Sequence, residues 1–93
     1  MNEKQTYNEI IIHSIENSEV PIVDHLIEEL SELISELCKK KRDRPHSVNG
    51  EMADVLFQMD KYLKTYNTTI EDLRSLSIAK SCVKYPEFME TLS

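Results

Sequence analysis

Residues 22–41 read IVDHLIEELSELISELCKKK, and the rest of the chain is arranged around them. At about 100° per residue, Ile22, Val23, Leu26, Ile27, Leu30, Leu33, Ile34 and Leu37 fill one broad face, which predicts a helix from Ile22 to about Lys41. The opposite face carries Asp24, His25, Glu28, Glu32 and Glu36, and Glu29 lies at the apolar boundary. Lys39, Lys40, Lys41 and Arg42 close the segment, where positive charge complements the helix dipole.

Working outward, Pro45 ends this helix, and Ser47 or Asn49 can cap the next. That helix is expected to run to about Tyr66, with Met52, Val55, Leu56, Met59, Tyr62, Leu63 and Tyr66 as its apolar face. Glu51 and Asp54 adjoin that face, and Asp60 and Lys64 have the spacing of an ordinary i, i+4 ion pair. Upstream, Tyr7, Ile11 and Ile15 repeat at four and favour a short helix over Gln5 to Asn17, although Ile10, Ile11 and Ile12 also suit a strand. Residues 17–21 read as a linker whose Pro21 can open the long helix. Asn67 is a helix end; Thr68-x-x-Glu71 and Thr69-x-x-Asp72 both resemble capping boxes for a last helix bearing Ile70, Leu73, Leu76 and Ile78. Past Lys80 the pattern weakens, and Pro86 is expected to stop any helix.

These elements predict one all-α domain over residues 1–93, an antiparallel helical bundle. A chain of this length buries only about 60% of its unfolded surface, so two long apolar stripes are expected to complete the core by self-association. A net charge of −6 argues against nucleic acid as the partner. No apolar run approaches the ~20 residues of a membrane span, and the polar start is unlike a signal peptide. Cys38 and Cys82 lack metal-ligand spacing and are expected as buried small residues in a reduced, cytoplasmic setting. The single Gly50 excludes a Gly-rich phosphate loop.

The chemistry resides in the acids. Asp24, Glu28, Glu32 and Glu36 follow one another at four, with no Lys or Arg between Asp24 and Glu36. Each like-charge pair costs roughly 0.2–0.5 kcal/mol, which a solvated face tolerates. Glu51 and Asp54 are also without a base at i+4, since those positions are Val55 and Gln58. Two helices joined by a short loop pack antiparallel, so the two acidic sets can meet across one groove. Carboxylates gathered there repel unless a cation joins them. All-oxygen ligation suits Mg²⁺ or Mn²⁺, and Mg²⁺ takes phosphate oxygens as further ligands.

Glu28-Glu29-x-x-Glu32 followed by Glu51-x-x-Asp54 resembles the signature of the MazG-like all-α nucleoside triphosphate pyrophosphohydrolases, as do the phrases Ile27-Glu28-Glu29-Leu30-Ser31-Glu32-Leu33 and Glu51-Met52-Ala53-Asp54-Val55-Leu56. The likeness spans about Val20 to Lys84, and the small size resembles compact, phage-type members. The resemblance implies a homodimer or homotetramer that cleaves an NTP or dNTP to the monophosphate and pyrophosphate with Mg²⁺. It implies Glu29, Glu32, Glu51 and Asp54 as metal ligands and Glu28 as the carboxylate that positions or deprotonates the attacking water. A basic pair after the last helix, matched here by Lys80 and Lys84, would join Lys39 and Arg42 in holding the nucleotide's phosphates. Its rivals are a non-catalytic helical module that binds a nucleotide or a protein, and the related phosphoribosyl-ATP pyrophosphohydrolases.

Overall fold

The computed structural model describes residues 1–92, and every side chain among them except those of Met89 and Leu92. Local chemistry satisfies free backbone groups at several helix ends, although neither Pro21 nor Ser47 supplies a side-chain cap to the helix it precedes. For α1 (Glu3–Asn17), the Asn2 side chain accepts the Gln5 N–H at 2.8 Å while the Gln5 side chain accepts the Asn2 N–H at 2.9 Å. α2 (Ile22–Lys41) follows Pro21, and α3 (Val48–Thr65) follows Ser47. Both of these helices close in the same way. Asp43 and Asn67 adopt left-handed backbone, with φ of 55° and 53°. The next N–H in each case, from Arg44 and Thr68, returns to the carbonyls of Lys39 and Leu63 at 2.9 Å. α4 (Ile70–Lys84) starts with the second of the two capping boxes, Thr69 with Asp72.

The end of the chain corrects the sequence expectation. α4 continues past Lys80 to Lys84, and Pro86 opens a further helix, α5 (Pro86–Leu92). A proline is tolerated at a first helical position because its missing N–H has no intrahelical partner there anyway. Among the described residues there is no strand, so the Ile10–Ile12 run is helical.

α2 and α3 pack antiparallel, α1 lies on α3, and α4 packs with α5. The buried apolar residues are few: Ile11, Val48, Val55 and Leu63. Tyr7 holds α1 to α3 twice, through an edge contact to the Phe57 ring and a hydrogen bond from its hydroxyl to Asp60. Asp60 is therefore engaged by Tyr7, and the expected ion pair with Lys64 does not form among the described residues. α4 meets the α2–α3 pair near its start, where Leu73 shares an open recess with Leu26, Met59, Tyr62 and Leu63.

The orientation of α2 is the main surprise. No α2 residue is buried, and Val23, Ile27, Leu30, Ile34 and Leu37 are exposed. The side turned toward α3 holds half-buried Ile22, His25, Leu26, Glu29, Leu33 and Glu36. Part of the face expected to be solvated and acidic thus lines the helix pair, while much of the apolar face remains open. α3 is rotated likewise: Met52, Leu56 and Tyr66 are exposed, whereas Gln58 and Lys61 are buried. Cys38 is exposed and Cys82 half-buried, both as free thiols, so neither is the buried residue expected. Among the described residues no helix is long and apolar enough to cross a membrane.

Candidate metal centre

The helix period makes the site. Glu29, Glu32 and Glu36 succeed one another at three and four on α2, and Glu51 and Asp54 at three on α3, so each set shares one side of its helix. The antiparallel pairing turns these sides toward each other. Carboxylate oxygens of Glu29, Glu51 and Asp54 all lie within 4.8 Å of one another. Glu32 is exposed and borders this trio, touching both Glu29 and Glu51. At the loop end, Glu36 leaves the group: it ion-pairs with Lys39 at 2.8 Å and accepts the Ser47 N–H at 3.2 Å. Its pKa is lowered, first by the bond from Lys39, because these donors favour the ionised form.

The electrostatics of the trio run the opposite way. Glu29 is pushed up from 4.5 to about 7, first by burial, then by the negative charges of Glu32 and Asp54, the contact with the Glu32 carboxyl, and the charge of Glu51. Glu51 is raised for the same reasons, burial first and then Glu32. A contact between two carboxyl groups is a hydrogen bond only when one holds a proton. With both ionised, the buried Oε2 atoms of Glu29 and Glu51 have no donor at all.

These orphaned oxygens test whether a cation fits. Three converging carboxylates, two with buried and unsatisfied oxygens, and no His or Cys in the trio, form a hard all-oxygen set suited to Mg²⁺ or Mn²⁺. Glu29, Glu51 and Asp54 would hold the ion, with Glu32 beside them. Comparison with protein-family models, with curated proteins and with solved structures finds no match to this chain. The chemistry is therefore argued from these side chains.

The other expected site residues stand apart. Glu28 is exposed and outside the trio, since one residue along a helix rotates a side chain by about 100°. Lys39 is committed to Glu36, Arg42 and Lys80 are exposed, and exposed Lys84 lies over the Tyr85 ring. None of these four cations bonds the trio among the described residues. On sequence grounds His25, one turn before Glu29, is a minor candidate, whereas Gln58 and Lys61 were missed. His25 Nδ1 and Gln58 Oε1 are buried without hydrogen-bond partners, and Lys61 is 1% exposed. One signal was available: Asp54, Gln58 and Lys61 follow at four and three, the spacing of a single helix side.

Proposed function

We propose that this protein is a Mg²⁺-dependent nucleoside triphosphate pyrophosphohydrolase, converting an NTP or dNTP to the monophosphate and pyrophosphate. The observation that carries the reading is the convergence of Glu29, Glu51 and Asp54 across α2 and α3, with no ion pair to a base among the described residues. The same residues carry the resemblance to the MazG-like pyrophosphohydrolases, which supplies the reaction type.

When bound, the ion would polarise the α-phosphate and neutralise charge on the departing pyrophosphate. The chain's own residues fix the geometry. Glu29 on α2, with Glu51 and Asp54 on α3 and Glu32 beside them, would hold the ion through which the phosphate oxygens are anchored at this site. Water attacks the α-phosphorus in line: an O–P bond forms, the bond to the α–β bridging oxygen breaks, and pyrophosphate leaves. Glu28 is the residue the resemblance assigns to receive the water's proton.

The working form is a dimer of this chain. A folded monomer of 10.9 kDa exposes roughly 5,600 Å², so the 7605 Å² observed leaves an excess of about 2,000 Å². Two copies covering that excess would bury about 4,000 Å² in total, within the range of obligate homodimers. The exposed apolar stripe of α2 is the surface offered.

The test is a product analysis. Purified protein is incubated with each NTP and dNTP, with and without Mg²⁺, and with phosphoribosyl-ATP. Mg²⁺-dependent monophosphate plus pyrophosphate is expected, and diphosphate plus phosphate would refute the scissile bond. The exposed position of Glu28, outside the trio, favours one second reading, a nucleotide-binding module without turnover. Nucleotide with Mg²⁺ raising the melting temperature while no product forms would establish it.

A further inference from the structure

α4 meets the α2–α3 pair near its start, at Leu73. Its main packing partner is α5, and no residue of α4 is buried. Leu76, Ile78 and Val83 are exposed, Val83 by 84%, and so is Phe88 of α5. The radius of gyration is 17.0 Å, against about 12 Å for a compact chain of this length. A 15-residue helix is marginal in water unless packing supports it. The arm formed by α4 and α5 therefore needs a surface that its own chain does not give it.

The direction of the arm is set locally. The Thr68 N–H returns to the Leu63 carbonyl at the end of α3, and Thr69 with Asp72 forms the capping box that starts α4. Short-range bonds thus close the turn on both sides, and the arm leaves its own α2 stripe uncovered: Ile27, Leu30 and Ile34 are exposed. The two open surfaces match. Helix period puts Leu76, Ile78, Cys82 and Val83 on one side of α4, and Arg74, Lys80 and Lys84 on the other. From Leu73 to Pro86 these three bases occur with no acid. From Ile22 to Cys38 there are five acids, Asp24, Glu28, Glu29, Glu32 and Glu36, and no Lys or Arg. Among the described residues Lys80 and Lys84 make no ion pair, and Arg74 makes only a loose one with Glu71 at 3.9 Å. The α2 stripe from Val23 to Leu37 is about 20 Å long, as is α4.

We propose that the α4–α5 arm of one copy lies along the α2 stripe of a second copy, and reciprocally, in an arm-exchanged dimer. The inference rests on the dimer proposed above and identifies what covers its α2 stripe. Leu76, Ile78 and Val83 meet the partner's exposed apolar residues, while the basic side of the arm runs beside the partner's acids. Complementary charge sets the pairing and its register, and apolar burial supplies the affinity. Stripe-to-stripe packing alone would leave the arm uncovered.

The test is sedimentation equilibrium on the full chain. Ile78 is exposed in the single chain, so Ile78→Asp should keep the wild-type helical spectrum and weaken dimerisation by roughly 100-fold or more. Two charge-reversed chains then ask which surfaces meet: one carries Lys80→Glu with Lys84→Glu, the other Asp24→Lys with Glu28→Lys. Each alone should dimerise about 10-fold more weakly than wild type or worse. An equal mixture should restore wild-type dimerisation, because in the mixed dimer each arm meets an α2 of opposite charge. Dimerisation by Ile78→Asp as strong as wild type overturns the inference and leaves the dimer standing. A mixture no stronger than its components also overturns it, since the arm would then lie on another surface, such as a second arm. Wild-type protein that stays monomeric overturns both readings. Should Ile78→Asp not fold, the charge-reversed pair decides, because all four of its positions are exposed.

Discussion

The Tyr7 hydroxyl donates to Asp60 Oδ2 at 2.6 Å, joining α1 to α3 across 53 residues of chain. With the Tyr7–Phe57 edge contact, this bond fixes where α1 lies on α3. A partly buried hydrogen bond to a charged acceptor contributes about 1–2 kcal/mol net. Tyr7→Phe should lower the urea-unfolding free energy by that amount and leave Mg²⁺ binding unchanged. An unaltered unfolding midpoint would show that α1 is held by apolar contacts alone. Burial and Asp60 both raise the pKa of this phenol, so the unfolded chain ionises Tyr7 first, and stability should fall as pH rises above about 10.

Glu29 makes stability depend on pH near neutrality. Its folded pKa, about 7, lies above the ordinary 4.5, so between these values the folded chain holds more protons than the unfolded one. Without metal, the melting temperature should fall as pH rises through this window. Mg²⁺ should suppress the fall, because the ion takes the place of the shared proton, and Glu29→Gln should largely abolish it. A metal-free melting temperature that is level or rising from pH 5 to pH 8 would contradict the crowding of the trio.

Removing one anchoring carboxylate should stop hydrolysis. If several kcal/mol of charge stabilisation depends on the assembled group, Asp54→Asn or Glu32→Ala should lower kcat/KM by roughly 1,000-fold or more. Either variant should also lose much of the Mg²⁺-induced rise in melting temperature. Wild-type turnover by Asp54→Asn would remove Asp54 from the site.

The open stripe of α2 predicts assembly. Ile34 is 62% exposed, so Ile34→Glu should leave the monomer folded, with the wild-type helical spectrum. Sedimentation equilibrium should find a dimer for wild type and a monomer for Ile34→Glu. A wild-type monomer at all concentrations tested would refute the dimer.

At the far end of the chain, Thr69→Ala removes half of the α4 capping box and should cost about 1 kcal/mol. The loss should appear as reduced helicity, with Mg²⁺ binding intact. An unchanged helical signal and stability would mean that α4 is held by contacts other than its cap.

Much of this molecule is legible locally. The extent of α2, the helix end at Asn67 and the capping of α4, for which Thr69 with Asp72 is one of two candidate pairs, depend on residues within a turn or two of one another, whereas the turn that stops α2 falls at Asp43 and not at Pro45. The two acidic sets are legible for the same reason, since the helix period puts Glu29 beside Glu32 and Glu51 beside Asp54 whatever surrounds them. Pro86 was misread because proline permits two local outcomes, an end or a beginning, and the residues after it select the second.

Only the tertiary structure decided which way each helix faces. A wide apolar face on α2 suggested that Val23, Ile27, Leu30 and Ile34 would be covered, yet α3 packs along the edge that holds His25 and Glu29. That rotation converts Glu29 from a boundary residue into a member of the trio. Periodicity determines which residues share a side of one helix. The angle at which that side meets its neighbour comes from side-chain packing between segments distant in sequence, a property of no single helix.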